Sequence, residues 1–290
     1  MHLGPSELIL NEEGRIYHLN LLPEELSDLI ILVGDPQRVS RVSQHFDSLE
    51  IAQHKREFIT HTGWLKNKRI SVISTGIGTD NIDIVLNELD ALVNIDLRSR
   101  EVKKEKKQLT FIRVGTSGAI QPDIAVDTFL LSHYAIGFDN TLYYYKSDTV
   151  RFPEIERAFF EHSKWGAHNS KPYVVKCDEY LRQHFLEEGV VNGFTGSNVG
   201  FYGPQGRHLR LPAKDPMLHE KLSSFSYENR KLTNLEMETS AIYGLSAMMG
   251  HRALSLNAII ANRATKKFSN HPARTIDDLI EWTLNKLIAL

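Results

Sequence analysis

"RISVISTGIGTDNIDIVLNELDALVNI", residues 69–95, carries the pattern on which the fold turns. Its first seven residues are rich in Ile, Val, Ser and Thr and read as a strand. Gly76 and Gly78 then break it. From residue 81 to 95 apolar side chains recur every three or four positions, which predicts a helix. The same alternation is found elsewhere. "LIILVG" (29–34) precedes the helical spacing of Val39, Val42 and Phe46 in "DPQRVSRVSQHF" (35–46). "LTFIRVGTSGAI" (109–120) reads as a strand followed by a third glycine turn. "TFLLSHYAI" (128–136), "KPYVVKC" (171–177), "GVVNGFTGS" (189–197) and "RALSLNAIIAN" (252–262) read as further strands, and 236–250 and 275–290 as late helices. Strands alternating with helices predict an α/β fold with a mixed or mostly parallel sheet covered by helices. No linker divides residues 1–290, so one domain is expected, with 1–17 as an N-terminal extension.

The composition limits the function classes. Of 290 residues, 41% are hydrophobic and 24% charged, and the net charge is −2. That balance argues against a nucleic-acid or membrane-surface partner. A single cysteine, Cys177, allows no internal disulfide and fits a reducing, cytoplasmic setting. The first fifteen residues lack a basic stretch followed by an apolar core, so no secretory signal is expected. The one dense charge run, "RSREVKKEKKQ" (98–108), has six Lys or Arg among eleven residues. It reads either as a basic patch or as a solvated helix end or surface insertion.

Candidate chemistry starts at the glycine turns. "VGDPQR" (33–38), "STGIGT" (74–79) and "RVGTSGAI" (113–120) each follow a strand. In α/β sheets, ligands bind at the carboxyl ends of strands. Exposed backbone N–H groups and helix N-termini there favour anions. Arg38 and Arg113 flank two of the turns, Arg56 is a further candidate, and the arginine fork suits phosphate. No turn matches a P-loop or dinucleotide fingerprint. "NLEMETSAIYG" (234–244) sets Glu236 and Glu238 near a helix start, either to complement the helix dipole or to accept hydrogen bonds in a cleft. "GFYGPQGRHLR" (200–210) combines three glycines and a proline with Phe201, Gln205 and Arg207. It is either a surface loop or a pocket wall that stacks on a flat ligand and reads its polar edge.

In order and spacing, "VGDPQR", "KREF" (55–58), "STGIG", "RVGTSGAI", "NLEMETSA" and "ANR" (261–263) resemble the nucleoside phosphorylase superfamily of the uridine and hexameric purine type. The resemblance runs from about His18 to the C-terminus. It implies a single α/β domain with a central mixed, partly barrel-like sheet. It implies reversible phosphorolysis of an N-glycosidic bond, with phosphate as co-substrate and no organic cofactor. Gly34, Arg38, Arg113 and Thr116 would bind phosphate, joined by Arg56 of a second subunit, with Asp35 holding the turn. Thr116, Met237 and Glu238 would hold the ribose, with Glu236 near the ribose or supporting Arg56. "YHLNL" (17–21) resembles the N-terminal motif whose histidine, here His18, reaches the ribose 5′-hydroxyl of a neighbouring subunit. At least a dimer, up to a trimer of dimers with active sites shared between subunits, is therefore implied.

Phe201, Gln205 and Arg207 match the uridine branch, where they pack on and read uracil, with Gly118 shaping the slot and Arg207, Gln205 and Arg113 as the catalytic set. "ANRAT", with Asn262 and Arg263, is similar to that branch and lacks the purine branch's aspartate; Arg263 is placed with the base contacts. Thr79, Asp80 and Asn81 replace the usual x-Pro-Ser, and Asp80 or Asn81 is expected to cap the following helix. Some members hold potassium at a dimer interface, which here would involve Glu57, Ile77 and Asn81. Rival readings are a purine or broad-specificity phosphorylase, a water-using nucleosidase and a non-catalytic nucleoside-binding protein.

Overall fold

The computed structural model describes residues 2–290, so the expected extension and domain are followed from His2 onward. Eleven strands form one sheet: β1 Leu29–Val33, β2 Ser48–Lys55, β3 Phe58–Leu65, β4 Lys68–Ser74, β5 Thr110–Ala119, β6 Phe129–Gly137, β7 Tyr173–Lys176, β8 Val191–Ser197, β9 Asn234–Glu236, β10 Arg252–Asn262 and β11 Lys267–Phe268. Seven helices flank it: α1 Pro36–Ser43, α2 Thr79–Asn94, α3 Pro153–Ser163, α4 Glu179–Phe185, α5 Leu218–Ser224, α6 Thr239–Met249 and α7 Pro272–Ile288. The strand order is β11-β10-β6-β8-β9-β5-β1-β4-β3-β2, with β7 on β6. β10 also pairs with β5, so β5, β10, β6, β8 and β9 close into a five-stranded ring. Parallel pairs (β1 with β4 and β5, β8 with β6 and β9) mix with antiparallel ones (β9 with β5, β10 with β6). The expected α/β class with a mixed, partly barrel-like sheet is therefore what the chain adopts.

Each element follows from its sequence. Ile30, Ile31, Leu32 and Val33 are all buried, because β1 lies between parallel neighbours and is covered on both faces. Helix α2 buries Ile82, Val85, Leu86, Leu89, Leu92 and Val93. Each such side chain contributes about 1.5–3 kcal/mol of burial. Asp35 caps α1, accepting from the Gln37 N–H at 2.9 Å, and Pro36 occupies the first turn.

Three local expectations are corrected. The third glycine turn is no turn: β5 runs straight through Gly115 and Gly118. A Cβ on Gly115 would lie 1.9 Å from the Arg113 guanidinium. Residues 113 and 115 share one face of the strand, so the glycine there makes room for an arginine and does not bend the chain. Glu236 ends strand β9 and is not in a helix; α6 begins only at Thr239. Neither Asp80 nor Asn81 caps α2, whose N-cap is Gly78.

The charged run 98–108 is not a helix end. Ile95–Asp96 and Glu101–Val102 pair as a small hairpin. Its cations serve as local ties: Lys103 to the Val93 carbonyl (2.9 Å), Lys107 to Asp28 (2.6 Å) and Arg100 to the Leu8 carbonyl (2.5 Å). Among the described residues no helix is long and apolar enough to cross a membrane.

Candidate active site

The carboxyl ends of β1, β4, β5 and β9 converge on a cavity of about 650 Å³. Gly34, Arg38, Arg113, Thr116, Gly118, Phe201, Gln205, Arg207, Glu236, Met237 and Glu238 all line it. Residues from four separate stretches of sequence thus meet in one place.

One end is built for an anion. Arg38 is buried, and its Nη1 donates to the Val114 carbonyl at 3.2 Å. Its Nε is buried without an acceptor among the described residues. Burial, and then the neighbouring Arg113, bring the Arg38 pKa down to about 10. An anion in the cavity would relieve both the repulsion and the unmatched donor. Gly34 and Pro36 add the N-terminus of α1 to the same wall.

Arg113 is oriented by acids. Its Nη2 lies 2.5 Å from Glu238 and 3.3 Å from Glu236, and Nη1 donates to the Asn257 side chain at 3.2 Å. Burial works against the Arg113 charge, but the two carboxylates outweigh it and hold the guanidinium above its ordinary value. Glu236 is itself fully engaged, accepting from Ser197 Oγ (2.5 Å) and from the N–H groups of Glu238 and Thr239. Within its own chain it supports Arg113. Glu238 accepts from Arg113 and from the Gly78 N–H at 2.9 Å. Burial pushes its carboxyl above the usual range despite Arg113, and the charge of Glu236 adds to this.

The other end is the 200–210 loop. Gln205 is 1% exposed. Arg207 lies over the Phe201 ring, 4.1 Å from its centroid, and donates to Gln205 Oε1 and to the Phe201 carbonyl. Burial lowers the Arg207 pKa, and no carboxylate forms a salt bridge with it among the described residues. A Cβ on Gly118 would come within 3.5 Å of Arg207 Nη2, so the bare strand is the floor of this slot. The loop is therefore a pocket wall. His208 and Arg210, on its far side, border a second cavity of about 980 Å³.

Arg263 does not line the first cavity. It donates to the Gln205 and Gly206 carbonyls behind the loop. Burial and Arg207 bring its pKa down to about 10. Its contacts are those of an anchor for the 200–210 loop. Arg263→Gln is expected to raise KM for the nucleoside about tenfold, the weight of one or two charge-assisted bonds, and to leave KM for phosphate nearly unchanged. Steady-state kinetics with each substrate varied in turn check this; equal changes in both KM values would refute it.

His18 and Arg56 stay outside their own chain's cavity, on the surface formed by the 17–19 turn and the end of β2. Sequence reasoning missed Asn257, Ser197 and the Gly78 N–H, which orient Arg113, Glu236 and Glu238. Asn257 had a signal: a buried amide inside the apolar run 252–262 needs a partner. Of the residues the resemblance links to potassium, Asn81 Nδ2 lies 3.4 Å from Glu57 Oε1 within this chain. Among the described residues no group of three or more His, Cys, Asp or Glu is placed to hold a metal.

This fold, a five-stranded closure with buried arginines and carboxylates gathered at one strand-end cavity, defines a class. Residues 28–288 match the Phosphorylase superfamily, and the chain belongs to that family. It is 33% identical over 266 residues to a uridine phosphorylase of Thermococcus kodakarensis, covering 89% of this chain and 81% of that one. It is 28% identical over 274 residues to a DeoD-type purine nucleoside phosphorylase of Geobacillus kaustophilus, covering 93% and 97%. A Trypanosoma brucei nucleoside phosphorylase, whose crystal structure is described as showing uridine phosphorylase activity, superposes with a TM-score of 0.88 at 30% identity, covering 98% and 100% of the two chains.

Proposed function

We propose that this chain is a uridine phosphorylase, cleaving the N-glycosidic bond of uridine with inorganic phosphate to give uracil and ribose 1-phosphate, reversibly. The observation that carries the reading is the pairing of Gln205 with a half-buried Arg207 that has no carboxylate partner among the described residues, in the same cavity as the buried Arg38. As the C1′–N1 bond breaks, its electron pair passes to the uracil ring, and C1′ takes on cationic character. Arg207 and Gln205 stabilise the negative charge where it develops. Phosphate held by Arg38, Arg113, Thr116 and the Gly34 turn stabilises the cationic carbon and forms the new C1′–O bond. Glu238 and Met237 hold the ribose, and Phe201 packs on the base. No acid–nucleophile pair of carboxylates is required, unlike the usual glycosidases. His18 and Arg56 would complete the site of a second copy, making the working unit at least a dimer.

A spectrophotometric panel of uridine, thymidine and inosine, each with and without phosphate, tests the reading. Uridine is expected to be consumed only with phosphate, and inosine to be a poor substrate. Preference for inosine would indicate the purine branch, phosphate-independent cleavage a nucleosidase, and binding without turnover a silent nucleoside-binding protein.

A further inference from the structure

Glu88 lies on α2, outside the cavity, yet its carboxylate has unusually complete employment. It accepts from the His18 N–H (3.0 and 3.1 Å), from the Leu19 N–H (2.9 Å) and from His18 Nδ1 (2.6 Å). A carboxylate that already takes two backbone N–H groups acts here as an acceptor. The Nδ1 therefore carries the proton, and Nε2 is left on the outer side of the ring. Among the described residues, Nδ1 makes the only hydrogen bond of that ring. The ring is also held edge-on by Tyr17, with centroids 4.9 Å apart, and by Phe58, at 6.5 Å.

The surroundings tie this histidine to the other surface residue of interest. Lys55 Nζ donates to the Tyr17 carbonyl at 2.5 Å and lies 4.2 Å from the centre of the Tyr17 ring. Lys55 directly precedes Arg56 and Tyr17 directly precedes His18, so these contacts set the two stretches side by side. Upstream, Arg15 clamps Glu25 at 2.6 Å, and Leu3 N–H donates to the Arg100 carbonyl of the 95–102 hairpin at 2.9 Å. The extension and the charged insertion, the two segments with no counterpart in the motif pattern, thus grip each other ahead of His18.

We propose that Glu88 is a positioning residue of the active site. It fixes the His18 tautomer and ring direction so that Nε2 is presented to the ribose 5′-hydroxyl in the site of a second copy of this chain. This rests on the function proposed above. A role confined to tying the N-terminal segment to α2 would make no distinction between substrates with and without that hydroxyl.

The test compares kcat/KM for uridine and 5′-deoxyuridine in wild type, Glu88→Gln, Glu88→Asp and His18→Ala, with melting temperatures alongside. Glu88→Gln is expected to lower the uridine over 5′-deoxyuridine preference about tenfold, the weight of one oriented hydrogen bond. His18→Ala is expected to lower it at least as far, and the double variant no further than His18→Ala alone. Glu88→Asp, with the charge retained but one methylene short, provides the second variant and is expected to lower the preference as well. Equal losses with both substrates, or an unchanged preference in a folded variant, would overturn the proposal. Wild-type protein that fails to phosphorolyse uridine would instead remove the functional reading itself, before any variant is compared.

Discussion

Arg207→Ala lowers the rate of uridine phosphorolysis by about 10²–10³-fold, the scale on which removing one pre-aimed donor acts, while the melting temperature stays close to wild type. The stability half of this expectation follows from placement. Arg207 is partly exposed, sits on a loop, and its bonds go to that same loop at Phe201 and Gln205. The rate half follows from electrostatics. Burial already disfavours the Arg207 charge, and among the described residues no salt bridge compensates it. A leaving base that gains negative charge supplies the missing partner only in the transition state, so the loss falls on kcat as well as on kcat/KM. Arg207→Lys is expected to recover little, since a point charge lacks the planar fork. Measured rates near wild type for Arg207→Ala would remove the residue from the mechanism.

Arg113→Met destabilises the protein by about 3–5 kcal/mol, because it leaves a buried carboxylate uncompensated, and it abolishes detectable phosphorolysis. Glu238 bears most of that cost. Without Arg113 it keeps only the Gly78 N–H, whereas Glu236 retains Ser197, Thr239 and the Glu238 N–H. A second substitution separates structure from chemistry. Arg113→Met with Glu238→Gln is expected to regain much of the melting temperature, since the orphaned charge is gone, and no activity. Thermal denaturation followed by circular dichroism, with a uridine assay on the same samples, reads both. A single variant that melts like wild type would show that the triad of Arg113, Glu236 and Glu238 does not carry the charge balance assigned to it.

Much of the fold is local information. The 69–95 stretch becomes β4, the glycine turn and α2, because period-two and period-3.6 apolar patterns are set by neighbours in sequence. Asp35 and Pro36 start α1 for equally local reasons. The "RVGTSGAI" stretch misled, since a glycine that makes room for a side chain is written the same way as one that turns the chain. Only the position of the Arg113 guanidinium over Gly115 distinguishes the two. The site residues were legible through the resemblance carried by six motifs, but their division of labour was not. Arg263 reads as one more base contact in sequence and proves to be the tether of Gln205 and Gly206.

The sequence by itself determined the α/β class, the strand-end glycines and the inventory of cations, acids and aromatic rings from which a phosphate and base pocket can be made. Those are properties of composition and short-range periodicity. Tertiary structure alone decided which carboxylate answers which arginine, that β10 returns to β5 and closes the ring, and that Glu88, seventy residues from His18, grips its imidazole. Pairings of that kind depend on strand order and on burial, and burial is what turns an ordinary arginine into an unpaired charge waiting for an anion.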